Sequence, residues 1–301
     1  MTGFRVILLA TLICGFASAL PGHAESWDMS ESNGETTPSE AKPQIELGFS
    51  LLYSLKFDEA RRQFEAWQKM NPEDPLGYVA MAASYLFEEF NEHHVLTSQF
   101  FLDDNRLLGG IPEKADKVRV AKFNAANQRG KELALKHISK NPGDTETLFA
   151  LAAANGLQAD FEAILEKHAM KSLSLTRKAE GYASQLLALQ PDATDAWFCV
   201  GAANYIIGSL PAYKRFFLWF GGIHGDKRLG MEQMSITAER GHYLKPFAEI
   251  FVALASIREH QEDVARKYFR DLAARFPDNP LYQTELTRLG GSYAISKNGG
   301  H

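Results

Sequence analysis

Cysteine is nearly absent from this chain, because only Cys14 and Cys199 occur in its 301 residues. Cys14 lies in an N-terminal segment that we expect to be removed, which leaves Cys199 without a second cysteine. The mature chain therefore cannot form an intrachain disulfide and must take its stability from a hydrophobic core. A chain of this length buries about three quarters of the surface that its unfolded form exposes, so such a core is sufficient.

The N-terminal segment has the features of a secretory signal peptide. A cation at Arg5 precedes an apolar run over residues 6–20, and Ala24 ends a stretch of small residues suited to cleavage. We predict a signal peptide over 1–24, cleaved near Ala24, and hence an exported protein that is periplasmic or associated with the outer envelope. An uncleaved membrane anchor is the alternative, but the apolar run is shorter than the ~20 residues that a spanning helix needs.

Excess positive charge and catalytic motifs are also lacking. The chain has 32 Lys and Arg against 37 Asp and Glu, which argues against nucleic acid as a partner because its binding needs a basic surface. No phosphate-binding glycine loop, HEXXH or GXSXG motif occurs. Glu89 and His93 stand one helical turn apart and could supply two metal ligands, but nothing marks the remaining ligands. We therefore predict no enzymatic activity, no cofactor and no metal.

Amphipathic helices dominate the chain between two polar flanks. Apolar residues recur at spacings of three and four, as in Ala60, Phe64 and Trp67. Helices are expected to end at a recurring phrase, NPEDP, NPGD, QPDA or FPDNP, in which proline ends one helix and an acid caps the next. The acidic leader over 25–43 is predicted to be disordered, and residues 290–301 are predicted to form a flexible tail.

Two short motifs recur around these prolines. In one, a small residue occupies the middle of the first helix of each unit, at Gly48, Ala82, Ala152, Gly201 and Ala253. In the other, a small residue stands four positions before a large one in the second helix, as at Ala60 and Phe64. The small residue allows two antiparallel helices to approach closely, and the large residue fills the gap beside it.

These motifs resemble the tetratricopeptide repeat (TPR) family, in an exported bacterial branch of unknown function. The resemblance is strongest over 41–74 and 246–279, whereas the prolines between them are irregularly spaced. It implies an all-α fold over 44–289, a right-handed TPR-like α-solenoid of antiparallel helix pairs with insertions at about 91–116 and 210–224. It also implies a scaffold for protein contacts, the usual role of this fold.

The first helix of each pair is expected to line the concave face of the solenoid. The residues predicted to form a concave binding surface are mostly apolar: Phe49, Tyr53, Val79, Phe87, Phe149, Phe198 and Tyr205. A large apolar wall must be covered or must bind something, since exposed patches of this kind are uncommon. We predict a protein or peptide partner, with carriage of an apolar small ligand in the concave channel as the alternative.

The second insertion contains an unusual run of large apolar residues. Its candidate partner or plug residues are Tyr213, Phe216, Phe217, Trp219 and Phe220. A membrane wedge, a partner site and a plug in the protein's own core are all compatible with this run. A plug is preferred because burying three rings at about 25 cal/mol/Å² contributes on the order of 10 kcal/mol. In that interpretation Trp219 is buried, and FFL at 100–102 docks in the same way.

Overall fold

The protein is described by a computed structural model over residues 42–103, 106, 109–209, 212, 215, 216, 219 and 224–298. The predicted signal peptide and nearly all of the acidic leader lie outside these residues. All regular secondary structure in the described residues is helical. The helices are α1 (Lys42–Tyr53), α2 (Phe57–Met70), α3 (Pro75–Glu92), α4 (Ser98–Leu102), α5 (Lys117–Ile138), α6 (Thr145–Ile164), α7 (Ala169–Leu189), α8 (Ala196–Gly208), α9 (Lys227–Arg240), α10 (Lys245–Arg258), α11 (Glu262–Arg275) and α12 (Pro280–Asn298).

Apart from the short helix α4, these helices pack against one another in the order of the chain. In the described part of the protein they form five antiparallel pairs, α1–α2, α3–α5, α6–α7, α8–α9 and α10–α11, and α12 then packs on α11. The first helices also lie side by side, because α3 contacts α1 and α6, and α6 contacts α8. An array in which each unit mainly contacts its neighbours is a helical-repeat solenoid. The predicted all-α, TPR-like architecture is therefore confirmed.

Aspartate side chains begin several of these helices. Asp74 accepts a hydrogen bond from Leu76 N at 2.9 Å, and Asp144 accepts one from Thr147 N at 3.0 Å. Each bond satisfies a backbone N–H that has no partner within its own helix. The predicted cap after proline is thus present at NPEDP and NPGD. At FPDNP, Asn279 takes this role instead and accepts from Leu281 N at 2.9 Å.

The small residues in the first helices mark close helix crossings, as expected. A Cβ atom added at Gly48 would overlap the ring of Phe64, which is fully buried. A Cβ added at Gly201 would lie 2.7 Å from Met234 N and 2.9 Å from Gly230 O. Helices α8 and α9 therefore meet backbone to backbone, at a distance that leaves no room for a side chain.

The ends of the helical domain and the insertions differ from the sequence-based boundaries. The last helix continues to Asn298, so residues 290–298 are helical rather than a tail beyond the domain. The first insertion contains the short helix α4, and α3 extends into it as far as Glu92. Within the described residues, no helix has both the length and the hydropathy required to span a bilayer.

We expect Gly201→Ala to lower the free energy of unfolding by about 1–3 kcal/mol, because the new methyl group collides with backbone atoms that cannot rotate away. Gly156→Ala in α6 is the matched control, since a Cβ there would meet nothing within 4 Å. That change should raise stability by up to about 1 kcal/mol, because alanine favours helix over glycine. Urea denaturation followed by circular dichroism measures both, and equal midpoints would contradict the assigned crossing.

Candidate functional site

Aromatic side chains of the predicted concave face lie in the interior of the array. There they contact rings from the start of the fifth helix pair. The ring centroids of Phe49 in α1 and Phe149 in α6 lie 4.8 and 6.2 Å from that of Tyr243. Tyr243 belongs to the turn that precedes α10. One ring of the fifth pair thus contacts the first and third pairs together, so the array curves back on itself.

Phe247 and Phe251 extend these contacts along α10. The ring of Phe247 lies 5.5 Å from that of Phe87 in α3 and 5.0 Å from that of Phe198 in α8. Phe198 is also 5.2 Å from Phe251. We define the aromatic cluster as Phe49, Phe87, Phe149, Phe198, Tyr243, Phe247 and Phe251. Helix α10 therefore covers much of the apolar wall that could otherwise have bound a partner.

The other three predicted concave residues lie outside this cluster. Val79 faces α5, because a Cβ added at Gly130 would lie 2.8 Å from its side chain. Tyr205 reaches from α8 to α10 and donates a hydrogen bond to Glu259 Oε1 at 3.2 Å. Tyr53 donates to the backbone oxygen of Tyr243 at 2.8 Å. All three side chains are buried and serve contacts between helices.

The first insertion packs into the array, as predicted for FFL at 100–102. Phe100 is buried, and the ring of Phe101 lies 5.7 Å from that of Phe251 in α10. Ser98 donates from its backbone N–H and its hydroxyl to the Glu285 carboxylate of α12, at 3.0 and 2.5 Å. Helix α4 thereby links the second helix pair to the end of the chain.

The first pair also contacts the last helices. Asn279 Nδ2 donates to Tyr53 O at 2.8 Å, and Lys56 Nζ lies 2.5 Å from Asp278 Oδ2. A cavity of about 70 Å³ remains where α1, α4 and α10–α12 meet. It is smaller than the roughly 150 Å³ void known to admit benzene and far below the usual volume of ligand sites. The interior of the described array therefore gives little support to carriage of an apolar ligand.

Asp195 holds the turn that places Tyr243 inside the array. Its carboxylate accepts hydrogen bonds from the backbone N–H groups of three successive residues, His242, Tyr243 and Leu244, at 2.8, 2.9 and 3.2 Å. Burial raises the pKa of Asp195, although these three donors oppose the shift. This role was missed from the sequence, because the acid expected to cap the next helix was Asp192 of QPDA. Asp195 occupies the N-cap position of α8 but makes no side-chain capping bond there.

The second insertion differs from the first in its exposure. Phe216 and Trp219 are 56% and 58% exposed, so Trp219 is not buried as the plug interpretation requires. Tyr213, Phe217 and Phe220 lie outside the described residues. The base of the insertion is closed, since a Cβ added at Gly225 would lie 2.8 Å from Gly208 N. Two large aromatic side chains therefore face solvent on a segment whose ends meet.

The candidate metal ligands Glu89 and His93 form a buried polar contact. Glu89 Oε1 lies 2.9 Å from His93 Nε2 and accepts a hydrogen bond from Asp116 N at 2.9 Å. Glu89 Oε2 lies 2.7 Å from Arg119 Nε. These contacts tie α3 to the start of α5 and balance the charge of Glu89. Among the residues described, no group of three or more His, Cys, Asp or Glu side chains is arranged so that it could hold a metal ion.

Asp160, Glu180 and Cys199 are ionisable groups whose neutral forms are favoured by burial. Burial raises the pKa of Asp160 and of Glu180 to about 7 and that of the Cys199 thiol to about 12. Glu180 Oε2 has no hydrogen-bond partner in the described part of the chain. The thiol stays protonated at neutral pH, so Cys199 is a poor nucleophile.

Comparison with known proteins adds one structural likeness. No family model and no curated protein matches the sequence. Among solved structures, the chain is similar to a thermophilic TPR protein from Thermus thermophilus, with 11% identity and a TM-score of 0.45 over 83% of this chain and 98% of that one. The helix pairs and their glycine crossings define this chain as a TPR-like helical-repeat protein, a fold of the scaffold type.

We expect Asp195→Ala to lower the free energy of unfolding by about 2–3 kcal/mol, because it leaves three backbone donors, two of them partly buried, without their charged acceptor. Asp192→Ala is the control, because Asp192 is exposed and lies in the turn that leads into α8. This change should alter the free energy of unfolding by less than about 0.5 kcal/mol. Urea denaturation at neutral pH measures both. A loss below about 1 kcal/mol for Asp195→Ala would show that the turn does not depend on this carboxylate.

We expect the effect of Glu180→Gln on the melting temperature to depend on pH. A folded-state pKa raised to about 7 means that the protonated carboxyl contributes stability below its unfolded pKa and loses it as pH rises through 7. Glutamine stays neutral throughout, so the variant should match the natural protein near pH 4 and melt higher near pH 8. Thermal melts across this range measure the difference, with exposed Glu65→Gln as the control. A constant difference at every pH would contradict burial of this carboxyl.

Proposed function

We propose that this protein is a non-catalytic scaffold of the cell envelope that binds a protein partner through its second insertion. The observation that carries the proposal is the exposure of Phe216 and Trp219, 56% and 58%, on a segment with a closed base. Aromatic side chains are enriched in protein interfaces, and tryptophan is prominent among the residues that dominate binding energy. Export to the envelope rests on the signal-peptide pattern that ends at Ala24.

The side chains that fill the concave face also favour a binding site on the outside of the array. In most of the array this face is occupied by rings of α10 and by the first insertion, which leaves a cavity of about 70 Å³. A peptide could enter only by displacing these side chains, and that would cost a large part of the burial energy that holds the array closed. The exposed aromatic side chains need no such rearrangement before they bind.

A scaffold role also agrees with the buried polar groups. Glu89 and Asp195 are each engaged by donors that belong to the fold, and Cys199 is kept protonated by burial. These groups connect helices and are not arranged around a substrate-sized pocket. The proposed activity is therefore recognition, with the packed helices of the array holding the insertion in place.

Site-specific photocrosslinking tests this function. A photoreactive phenylalanine analogue at position 219 should capture a protein partner in cells, whereas the same analogue at Met170 in α7, which is 68% exposed, should not. Phe216→Ala with Trp219→Ala should weaken partner binding at least about tenfold, as expected when two central aromatic contacts are lost. The melting temperature should stay close to that of the natural protein, since both side chains are exposed. Equal capture at positions 170 and 219, or unchanged binding by the double variant, would refute the role of the insertion.

A further inference from the structure

The short helix α4 is held on the concave side of the array by polar contacts at both of its ends. At its start, Ser98 donates from its backbone N–H and its hydroxyl to the carboxylate of Glu285 in α12, at 3.0 and 2.5 Å. At its end, the guanidinium of Arg258 in α10 donates to the backbone oxygen of Phe101 at 3.0 Å. An acceptor on one helix and a donor on another thus fix both the position and the direction of α4.

Two adjacent aromatic rings fill the space between these polar contacts. Phe100 is buried and belongs to an apolar cluster shared by α3, α5 and α6. The ring of Phe101 lies 5.7 Å from that of Phe251 and forms part of the wall of the 70 Å³ cavity. The remaining wall is mostly apolar and includes Leu254 and Phe269. The site of α4 therefore combines apolar space for side chains with a few placed polar groups, as sites for peptides and small ligands do.

Helix α4 depends on this site for its own structure. Five residues are too few for a stable helix in water, since isolated helices shorter than about 12 residues are marginal. The chain before and after α4 is anchored independently, because Val95 and Ile111 are buried. Ile111 N also donates to Ile164 O at 3.1 Å. Release of α4 from its site would therefore leave both anchors in place.

The acceptor at the start of the site keeps a partner when α4 is absent. Arg288 Nη1 lies 3.0 Å from each oxygen of the Glu285 carboxylate. A buried carboxylate without such a partner would be strongly destabilising. Because Arg288 and Glu285 belong to the same helix, their ion pair does not require α4. The site can therefore receive another segment without an uncompensated charge in between.

We propose that this site binds a peptide segment of a partner protein, and that α4 occupies it as an internal competitor. The occupant that the contacts favour resembles α4 itself: a helical turn that begins with serine or threonine and carries two adjacent aromatic residues. Because such a peptide replaces the contacts of α4 with equivalent ones, the rings of α10 stay in place. The site is built from α10 and α12, so the proposal goes beyond the contact assigned to Phe216 and Trp219.

The tether of α4 sets how strongly a partner must bind. A segment joined to the array at both ends competes at a high effective concentration. A peptide from outside binds only the fraction of molecules in which α4 has left the site, and its apparent affinity falls by that fraction. Substitutions that weaken the docking of α4 should therefore strengthen the binding of the peptide.

Fluorescence anisotropy with a labelled peptide tests this proposal on the full chain. The probe is the sequence of residues 95–102, VLTSQFFL, with blocked termini. Ser98→Ala with Phe101→Ala weakens the docking of α4 and leaves α10 and α12 unchanged, so it should raise the affinity for the probe at least about tenfold. Gln99→Ala, at an exposed position of α4, is the matched control and should alter the affinity by less than about twofold. A probe with alanine in place of both phenylalanines should not bind.

Hydrogen–deuterium exchange tests the competition on the natural chain, without any substitution. Addition of the probe should speed the exchange of the backbone amides of α4, because a bound peptide holds α4 out of its site. The amides of α10 should remain protected, since its rings keep their positions. This measurement decides the question if the double variant of Ser98 and Phe101 does not fold.

Several results would overturn the proposal. One is a folded double variant that binds the probe no better than the natural chain, and another is equal binding of the alanine probe. Unchanged exchange of α4 at the highest soluble concentration of the probe would show that this helix is a permanent part of the core. Uptake of anilinonaphthalene sulfonate by the double variant without peptide binding would point to a small-ligand cavity instead. Phe216→Ala with Trp219→Ala should leave binding of the probe unchanged, so the two proposals can fail separately.

Discussion

The closed form of this array depends on one carboxylate that binds three consecutive backbone N–H groups. Asp195 lies at the start of the fourth helix pair, and the turn it holds, residues 242–244, begins the fifth. Backbone donors fixed in this way keep the turn in one conformation, because each would lose a charged acceptor if the turn moved. Tyr243 is thereby directed into the interior, where it contacts the first and third pairs.

The closed form of the solenoid limits which of its surfaces a ligand or partner can reach. In an open helical-repeat array, the concave face is the natural surface for a ligand. In this protein, the rings of α10 and the docked helix α4 occupy much of that face, and Asn279 and Asp278 join the last helices to the first pair. The exposed side chains of Phe216 and Trp219 therefore lie on the outside of the array, where a partner can reach them.

The two insertions show how far composition can predict burial. FFL at 100–102 and the run that contains Phe216 and Trp219 are similarly apolar, yet Phe100 is 4% exposed and Trp219 is 58% exposed. The difference comes from position, because the first insertion lies beside α10 and α12 and can bury its rings against them. No local pattern in either run indicates whether such neighbours are present.

Local chemistry determined much of this protein from its sequence alone. Spacings of three and four define the helices, prolines separate them, and the small residues at Gly48 and Gly201 mark the crossings, since each effect acts over a few residues. The curvature of the array, the three backbone donors to Asp195 and the exposure of Trp219 were decided only by the tertiary structure. Curvature accumulates from small rotations between units, so contacts between distant pairs follow from their sum and cannot be read from any one repeat.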